Sequence, residues 1–248
     1  MIETFELWCH PFRENRRVNV YLPSDYYENE EKYPVVYMFD GHNLFDDAEA
    51  AYGKSWGMRD FLDYWDKKII VVGVYCSMHG NDRLVEYSPY NYKTIFTGPV
   101  KGTGKLTMEW FATVLKNHID NTYRTWSHRE ATAIAGSSMG GLMAYYAVIK
   151  YNHIYSKAAC ISPAFRLAIR SVKAQLLRSK ELSEDTKIFF SWGTKEDPRG
   201  ILGKQIWKLD AMLQERGIDT YCLKHINGTH SEGSWEKEIP LWMDFLWK

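Results

Sequence analysis

Residues 132–151 read TAIAGSSMGGLMAYYAVIKY, and the order of small, polar and apolar residues within them decides the architecture. Thr132 to Ala135 is short and apolar without alternation, as expected of a strand buried on both faces. From Gly140 to Lys150 apolar side chains recur at a roughly 3.6-residue spacing, which predicts a helix. Between the two stands Gly136-Ser137-Ser138-Met139-Gly140, a GxSxG pattern in a strand–turn–helix context. Its small residues allow a tight turn that pushes a serine hydroxyl out of the sheet. The serine then sits at a helix N-terminus, whose dipole favours developing negative charge. Ser137 competes for the role, but only Ser138 has glycine at both −2 and +2. The context makes Ser138 a candidate nucleophile.

Seven further runs rich in Val, Ile, Tyr and Phe complete a set of eight expected strands. They are Glu3–Cys9, Arg17–Leu22, Val35–Phe39, Ile69–Tyr75, Lys157–Ile161, Lys187–Trp192 and Thr220–His225, with Ala131–Ala135 between the fourth and fifth of these. Helical spacing recurs in Met108–Ile119, Leu202–Arg216 and Glu232–Trp247. The first two strands follow closely through a polar turn at Arg13–Arg16, which suits an antiparallel hairpin. The rest alternates strand and helix, which suits parallel crossover units. The expected fold is an α/β sandwich, a mostly parallel eight-stranded sheet with an antiparallel N-terminal edge. No repeat, low-complexity tract or linker interrupts residues 1–248, so one domain is expected.

Composition narrows the function. The chain has 248 residues, 45% of them apolar, and Lys+Arg balance Asp+Glu at 31 each, with no run of like charge. That leaves no electrostatic footprint for nucleic acid or an anionic membrane. Cys9, Cys76, Cys160 and Cys222 are scattered, with no CxxC pair, and read as reduced, mostly buried thiols. The N-terminus lacks the basic and apolar regions of a secretory signal, and the longest apolar run, Ile69 to Cys76, cannot span a bilayer. A soluble cytoplasmic protein is the expectation, and self-association is left open.

A serine nucleophile needs a base, and eight histidines compete. His230 follows the last expected strand in Asn227-Gly228-Thr229-His230 and precedes the last helix, so its loop can carry an imidazole over the elbow. His225 falls within the strand, and His10, His118, His128 and His153 read as surface or helix positions. The order Ser…acid…His favours His230. The acid should leave the preceding strand, where Gly193-Thr194-Lys195-Glu196-Asp197 offers two carboxylates that spacing alone does not separate. A second oxyanion donor is expected from the loop Met38 to Phe45. There Gly41 permits an unusual turn that aims the His42 amide at the site beside that of Met139. The His42 side chain suggests a metal ligand on its own, but no spaced His/Cys/Asp cluster accompanies it, and neither metal nor cofactor is implied.

With these residues in place, the chain resembles the putative-esterase family of α/β-hydrolases. That family includes feruloyl and acetyl-xylan esterases, enterochelin-type esterases, S-formylglutathione hydrolases and mycolyl transferases. The similarity runs through RRVNVYLPSDYYENEEKYPVVYMFDGHNLFDD, VVGVYCSMHGNDRLVEYSPY, HIDNTYRTWSHREATAIAGSSMGGLMAYYA and NGTHSEGSW. Carried over, it implies Ser138 as nucleophile, His230 as base, and the His42 and Met139 amides as the oxyanion hole. The acid falls on Glu196 by the feruloyl-esterase spacing or on Asp197 by the mycolyl-transferase spacing.

Only about 25 residues separate the sixth and seventh strands, room for one helix and not for a large lid. The stretch Cys76 to Lys105 is long and is expected to fold over the site. Its Asp82, Arg83, Glu86 and Tyr87 include groups that can orient substrate, although an internal ion pair is favoured for Arg83 and Glu86. Asp40, Arg83, Trp56 and Trp235 are the substrate-contact candidates, the tryptophans as platforms for a sugar or aryl ring. The expected activity is hydrolysis of a small-acyl or aryl ester of a carbohydrate or similar soluble metabolite through an acyl-enzyme. Acyl transfer to an alcohol, or a non-catalytic binding protein on the same fold, are the alternatives.

Overall fold

The central strands have no polar face. In a computed structural model, which describes residues 1–94, 98–179 and 182–248, their side chains go alternately into two apolar layers. In chain order the elements begin with β1 (Ile2–Cys9), β2 (Glu14–Tyr21), β3 (Val35–Phe39), α1 (Met58–Tyr64), β4 (Ile70–Val74) and α2 (Asp82–Glu86). A short hairpin, β5 (Tyr92–Thr94) and β6 (Gly98–Val100), leads to α3 (Gly104–Trp110), a π-helical turn Phe111–Leu115 and α4 (Lys116–Thr122). The second half runs β7 (Thr132–Ser137), α5 (Met139–Lys150), β8 (Lys157–Ile161), α6 (Ile169–Arg178), β9 (Lys187–Gly193), α7 (Ile201–Gln214), β10 (Asp219–His225), α8 (Glu232–Trp235) and α9 (Ile239–Trp247).

Eight strands form one sheet in the order β1-β2-β4-β3-β7-β8-β9-β10. The β1/β2 and β2/β4 pairs are antiparallel, and every pair from β4/β3 to β9/β10 is parallel. Val35, Tyr37 and Phe39 of β3 join the core beneath α3–α7, while Val36 and Met38 join the core beneath α1 and α9. Both faces are therefore covered by helices, which is why these strands read as continuous apolar runs. The α/β sandwich with an antiparallel N-terminal edge is the fold expected from the sequence. Cys9, Cys76 and Cys160 are buried free thiols and Cys222 is half-buried. No helix among the described residues is long and apolar enough to cross a membrane.

Several boundaries differ from the expectation. The first hairpin turns earlier than Arg13–Arg16, because Arg13 adopts a left-handed φ of 56° and β2 already begins at Glu14. The Cys9 carbonyl closes that turn by accepting from the Phe12 and Arg13 N–H groups. The expected helix Glu232–Trp247 is broken into α8 and α9 by a 3₁₀ turn at Glu236–Glu238. Pro240, which has no N–H to give, falls in the first turn of α9, where a helix tolerates it. Between β8 and β9 the described residues hold one short 3₁₀ turn and α6, in keeping with the absence of a large lid.

Candidate active site

Ser138 sits between β7 and α5 with φ 58° and ψ −117°, a conformation outside the usual regions for a residue with a Cβ. The surroundings hold it there. Its N–H donates to the Ile161 carbonyl, and its own carbonyl accepts from the Leu142 and Ala164 N–H groups. Gly136 and Gly140 meet across the bend, and a Cβ on Gly136 would fall 2.7 Å from the Gly140 carbonyl carbon. Ser138 is half-buried at the end of the sheet, whereas Ser137 is buried as the last residue of β7. Strain, anchoring and exposure all meet on Ser138.

His230 follows β10 and is exposed, with its Nδ1 2.5 Å from Glu196 Oε2. The other Glu196 oxygen accepts from Ser162 Oγ at 2.5 Å and from the Gly193 N–H at 2.6 Å. Burial alone would push the Glu196 carboxyl up, but these hydrogen bonds from His230, Gly193 and Ser162 outweigh it and hold the group below the ordinary glutamate value. Glu196 is thus an ionised acceptor that leaves the imidazole's Nε2 as its outward nitrogen. The two loops are tied together. The Lys195 N–H donates to Gly228 O, the Thr194 N–H donates to His225 O, and Gly193 packs directly on the Gly228 backbone.

Asp197 points elsewhere. Its carboxylate accepts the N–H groups of Ile201 and Gly203, each at 2.9 Å, and so caps the first turn of α7. The side chain is fully buried in that role, with Arg166 3.8 Å away. Spacing left the two acids open; geometry brings Glu196 to the histidine and not Asp197.

The loop after β3 makes the sharp turn, but not at Gly41. Asp40 is the left-handed residue, at φ 59° and ψ 51°. Gly41 is needed for a different reason, because a Cβ there would lie 2.5 Å from the Gly73 carbonyl carbon on β4. The Asn43 and Leu44 N–H groups close the following 3₁₀ turn onto Asp40 and Gly41, leaving the His42 N–H unused by it. The Met139 N–H is likewise free of the helix ladder, being at the first position of α5.

The substrate-contact candidates fare differently. Trp56 and Trp235 are 2% and 4% exposed and pack on each other at 5.6 Å, so neither offers a face to a sugar or aryl ring. Trp235 instead supports the acid. Its Nε1–H donates to Ser162 Oγ at 3.0 Å, and its ring meets the His230 ring edge-on at 5.1 Å. Asp40 is buried and its two oxygens accept from Arg83 Nε and Nη2 at 2.6 and 2.7 Å. Burial opposes the Asp40 charge, but Arg83 outweighs it and keeps the carboxyl below its ordinary value. Glu86 is likewise paired internally, with Arg16, and accepts from the Ser77 N–H at 2.6 Å. Arg83 and Glu86 are thus held in ion pairs, as favoured over substrate contact, but not with each other: Arg83 pairs with Asp40 and Glu86 with Arg16, each partner outside the Cys76–Lys105 stretch.

Contrary to the reading of His42 as unaccompanied, Asp40, His42 and Cys76 bring ligand-capable atoms within 4.8 Å of one another. Asp40 and His42 share the loop after β3, but Cys76 comes from the loop after β4, so no local spacing could show all three together. Arg83 already occupies both Asp40 oxygens, and burial pushes the Cys76 thiol far above its ordinary value. Sequence reasoning also missed Ser162, a polar residue between the end of β8 and Pro163 that bridges Trp235 and Glu196. It missed Glu232 too, which accepts from Asn43 Nδ2 at 3.2 Å and joins the histidine segment to the β3 loop.

Comparison with known proteins agrees with this fold. The chain is 23% identical over 221 residues to the uncharacterized protein YbbA of Bacillus subtilis (strain 168), covering 84% of this chain and 83% of that one. It is 29% identical over 167 residues to Esterase Rv1288 of Mycobacterium tuberculosis (strain ATCC 25618 / H37Rv); the match takes in 64% of this chain and only 32% of that longer protein. Among solved structures, an IroE-like serine hydrolase from Shewanella oneidensis superposes with a TM-score of 0.79 at 17% identity, covering 99% of this chain and 79% of that one. Residues 10–242 match the family described as Putative esterase, and the chain belongs to that family of α/β-hydrolase fold.

Proposed function

We propose that the protein hydrolyses carboxylic esters of small soluble molecules through an acyl-enzyme on Ser138. The observation that carries this reading is the 2.5 Å contact from His230 Nδ1 to a buried, ionised Glu196 in a chain whose Ser138 is held in a strained elbow. In the proposed mechanism Ser138 Oγ attacks the ester carbonyl while His230 Nε2 takes its proton. Glu196 fixes the imidazole tautomer and stabilises the imidazolium. The N–H groups of His42 and Met139 donate to the oxyanion, and the dipole of α5 adds to their field. His230 then returns the proton to the leaving alcohol, and water activated by the same base releases the acid. Family membership supports ester hydrolysis itself. The exposed imidazole and the single helix between β8 and β9 support a short or soluble substrate, of which an acylated carbohydrate is the favoured class.

A hydrolysis panel of p-nitrophenyl acyl chains, feruloyl esters and acetylated xylo-oligosaccharides tests the proposal, with intact-mass detection of the acyl-enzyme. Turnover of one class with a transient acyl adduct on Ser138 is the expected result. Turnover of none, together with no reaction toward a fluorophosphonate probe, would leave the fold as a non-catalytic binder.

A further inference from the structure

Among the described residues five non-glycine positions have a left-handed φ, and four of them, Asp40, Ser138, Ser162 and Asn227, stand just past the carboxyl ends of β3, β7, β8 and β10. The backbone is strained where the site needs its groups aimed, and such strain persists only where neighbours hold it. At Asp40 the holder is α2. Arg83, 43 residues along the chain, donates from Nε to Oδ1 at 2.6 Å and from Nη2 to Oδ2 at 2.7 Å. That two-point fork fixes the direction of the carboxylate as well as its charge. Four residues on, the Tyr87 hydroxyl lies 3.4 Å from the Asp40 nitrogen, and the Tyr87 ring meets Phe39 edge-on at 5.0 Å. α2 is itself pinned. Buried Glu86 pairs with buried Arg16 of β2 and accepts from the Ser77 N–H, while the Thr107 hydroxyl donates to the Glu86 carbonyl at 2.6 Å. On its other side Asp40 packs against the elbow, where a Cβ on Gly140 would lie 3.4 Å from Asp40 Oδ2.

We infer that Arg83 is a positioning residue for the oxyanion hole: its fork on Asp40 holds the left-handed turn from which the His42 N–H reaches the reacting carbonyl oxygen. The inference rests on the esterase reading of Ser138. His42 follows Asp40 by two residues, and the Asn43 N–H closes the turn onto the Asp40 carbonyl at 2.9 Å, so the backbone angles at Asp40 set the direction of the His42 N–H. An oxyanion donor works through its fixed aim, since a donor that must reorient loses its advantage over water. Asp40, at φ 59° and ψ 51°, lacks glycine's freedom to keep that shape unaided. The same carboxylate lies against Gly140, the neighbour of Met139, so one anchored side chain also relates the two donor segments to each other. α2 thereby serves the site as a brace. Two rival roles for Arg83 predict different readouts. A substrate contact would act through Nη1, which Asp40 does not take, and would show in KM; a plain structural pair would show in the melting temperature. Positioning of the hole shows in the transition state.

Rates of the full chain on p-nitrophenyl acetate and on its thiono analogue, in which sulfur replaces the carbonyl oxygen, test the inference. Sulfur is larger and accepts hydrogen bonds poorly, so the oxygen-to-sulfur ratio of kcat/KM reports the aim of the oxyanion donors. The amount of folded enzyme cancels from that ratio. Arg83→Lys keeps the charge and loses the fork. It should lower kcat on the oxygen ester by about 10–100-fold, leave KM within about twofold, and lower the ratio by about fivefold or more. Asp40→Asn keeps the left-handed preference without the charge and should lower the ratio in the same direction, and the double variant should lose no more than the worse single one. Val172→Ala, buried in α6, should lower the melting temperature and leave the ratio unchanged. A rise in KM with kcat kept, a fall in kcat with the ratio unchanged, or parental kinetics in folded Arg83→Lys would each overturn the inference. So would a parental ratio no larger than that of alkaline hydrolysis. If Arg83→Lys does not fold, the ratio in Asp40→Asn decides. A parent that neither hydrolyses p-nitrophenyl acetate nor reacts with a fluorophosphonate would sink the esterase reading and this one with it. A reactive parent whose ratio ignores both substitutions would sink this one alone.

Discussion

Glu196 Oε2 lies 2.5 Å from His230 Nδ1, across two loops that are 34 residues apart in the chain. The contact depends on a buried polar chain behind it, in which the Trp235 indole N–H donates to Ser162 and Ser162 donates to the second Glu196 oxygen. Each donor lowers the cost of keeping a carboxylate charged in a buried place. The Glu196 carboxylate is therefore positioned and kept ionised by side chains buried behind it.

Losing this acid should be felt in the chemical step. Glu196→Gln should lower kcat by about 10²–10⁴-fold with KM little changed, because tautomer control and imidazolium stabilisation act in the transition state. Asp197→Asn should change kcat by less than about tenfold and instead cost about 1 kcal/mol of stability through the weakened α7 cap. Steady-state kinetics and urea unfolding of the two variants separate these effects. The reverse ranking would move the acid role to Asp197, and two mild effects would indicate a Ser–His dyad.

Ser138→Ala should abolish labelling by a fluorophosphonate and lower kcat by about 10⁴-fold or more while leaving the melting temperature close to that of the parent. Ser137 is buried at the end of β7, so Ser137→Ala should retain labelling. Mass spectrometry of the labelled peptide reads the outcome. A loss of activity that follows Ser137 would overturn the nucleophile assignment.

Acyl-chain preference follows from the one helix, α6, that the described residues hold between β8 and β9. Rates on p-nitrophenyl acetate or butyrate should exceed those on the palmitate ester. A sharp rise in rate above a substrate's solubility limit would contradict the absence of a lid.

The Asp40–Arg83 pair makes a pH-dependent prediction. Asp40 is 4% exposed, and removing Arg83, which takes both its oxygens, leaves an uncompensated buried charge, so Arg83→Met should destabilise by about 3 kcal/mol at neutral pH. In the parent the folded Asp40 titrates below its ordinary value, which adds stability above that value and loses it as pH falls through the folded one. Without Arg83, burial raises the folded carboxyl above the unfolded one, and the sign reverses. The deficit of Arg83→Met relative to the parent should shrink as pH falls from 7 toward 4. Urea midpoints across that range check it, and a deficit that grows toward acid would show that Asp40 does not depend on Arg83 for its charge.

Residues 132–151 by themselves determined the strand, the elbow and the helix, because each is a local matter of apolar period and glycine placement. The inner strands β3, β4, β7, β8 and β9 were readable for the same reason, as strands buried on both faces are apolar throughout. By contrast β1, β2 and β10 showed as runs of strand-forming residues with one side more exposed. The order Ser…acid…His picked out His230 through its position after the last strand. Folding alone decided the rest. Glu196 and Asp197 are adjacent and chemically alike, and only the approach of the His230 loop to one side and the α7 N-terminus to the other gives them different work. Gly41 read as the residue with freedom to turn, yet the turn is at Asp40, and Gly41 is small because β4 passes against it. Trp56 and Trp235 stood as candidate platforms beside the commoner reading of core packing, and no local pattern distinguishes a tryptophan that faces a ligand from one that packs on another across 179 residues of chain. The approach of Cys76 to Asp40 and His42 was invisible for that same reason. Composition records how many charges and ligands a chain has, and only the crossing of its elements places them beside one another.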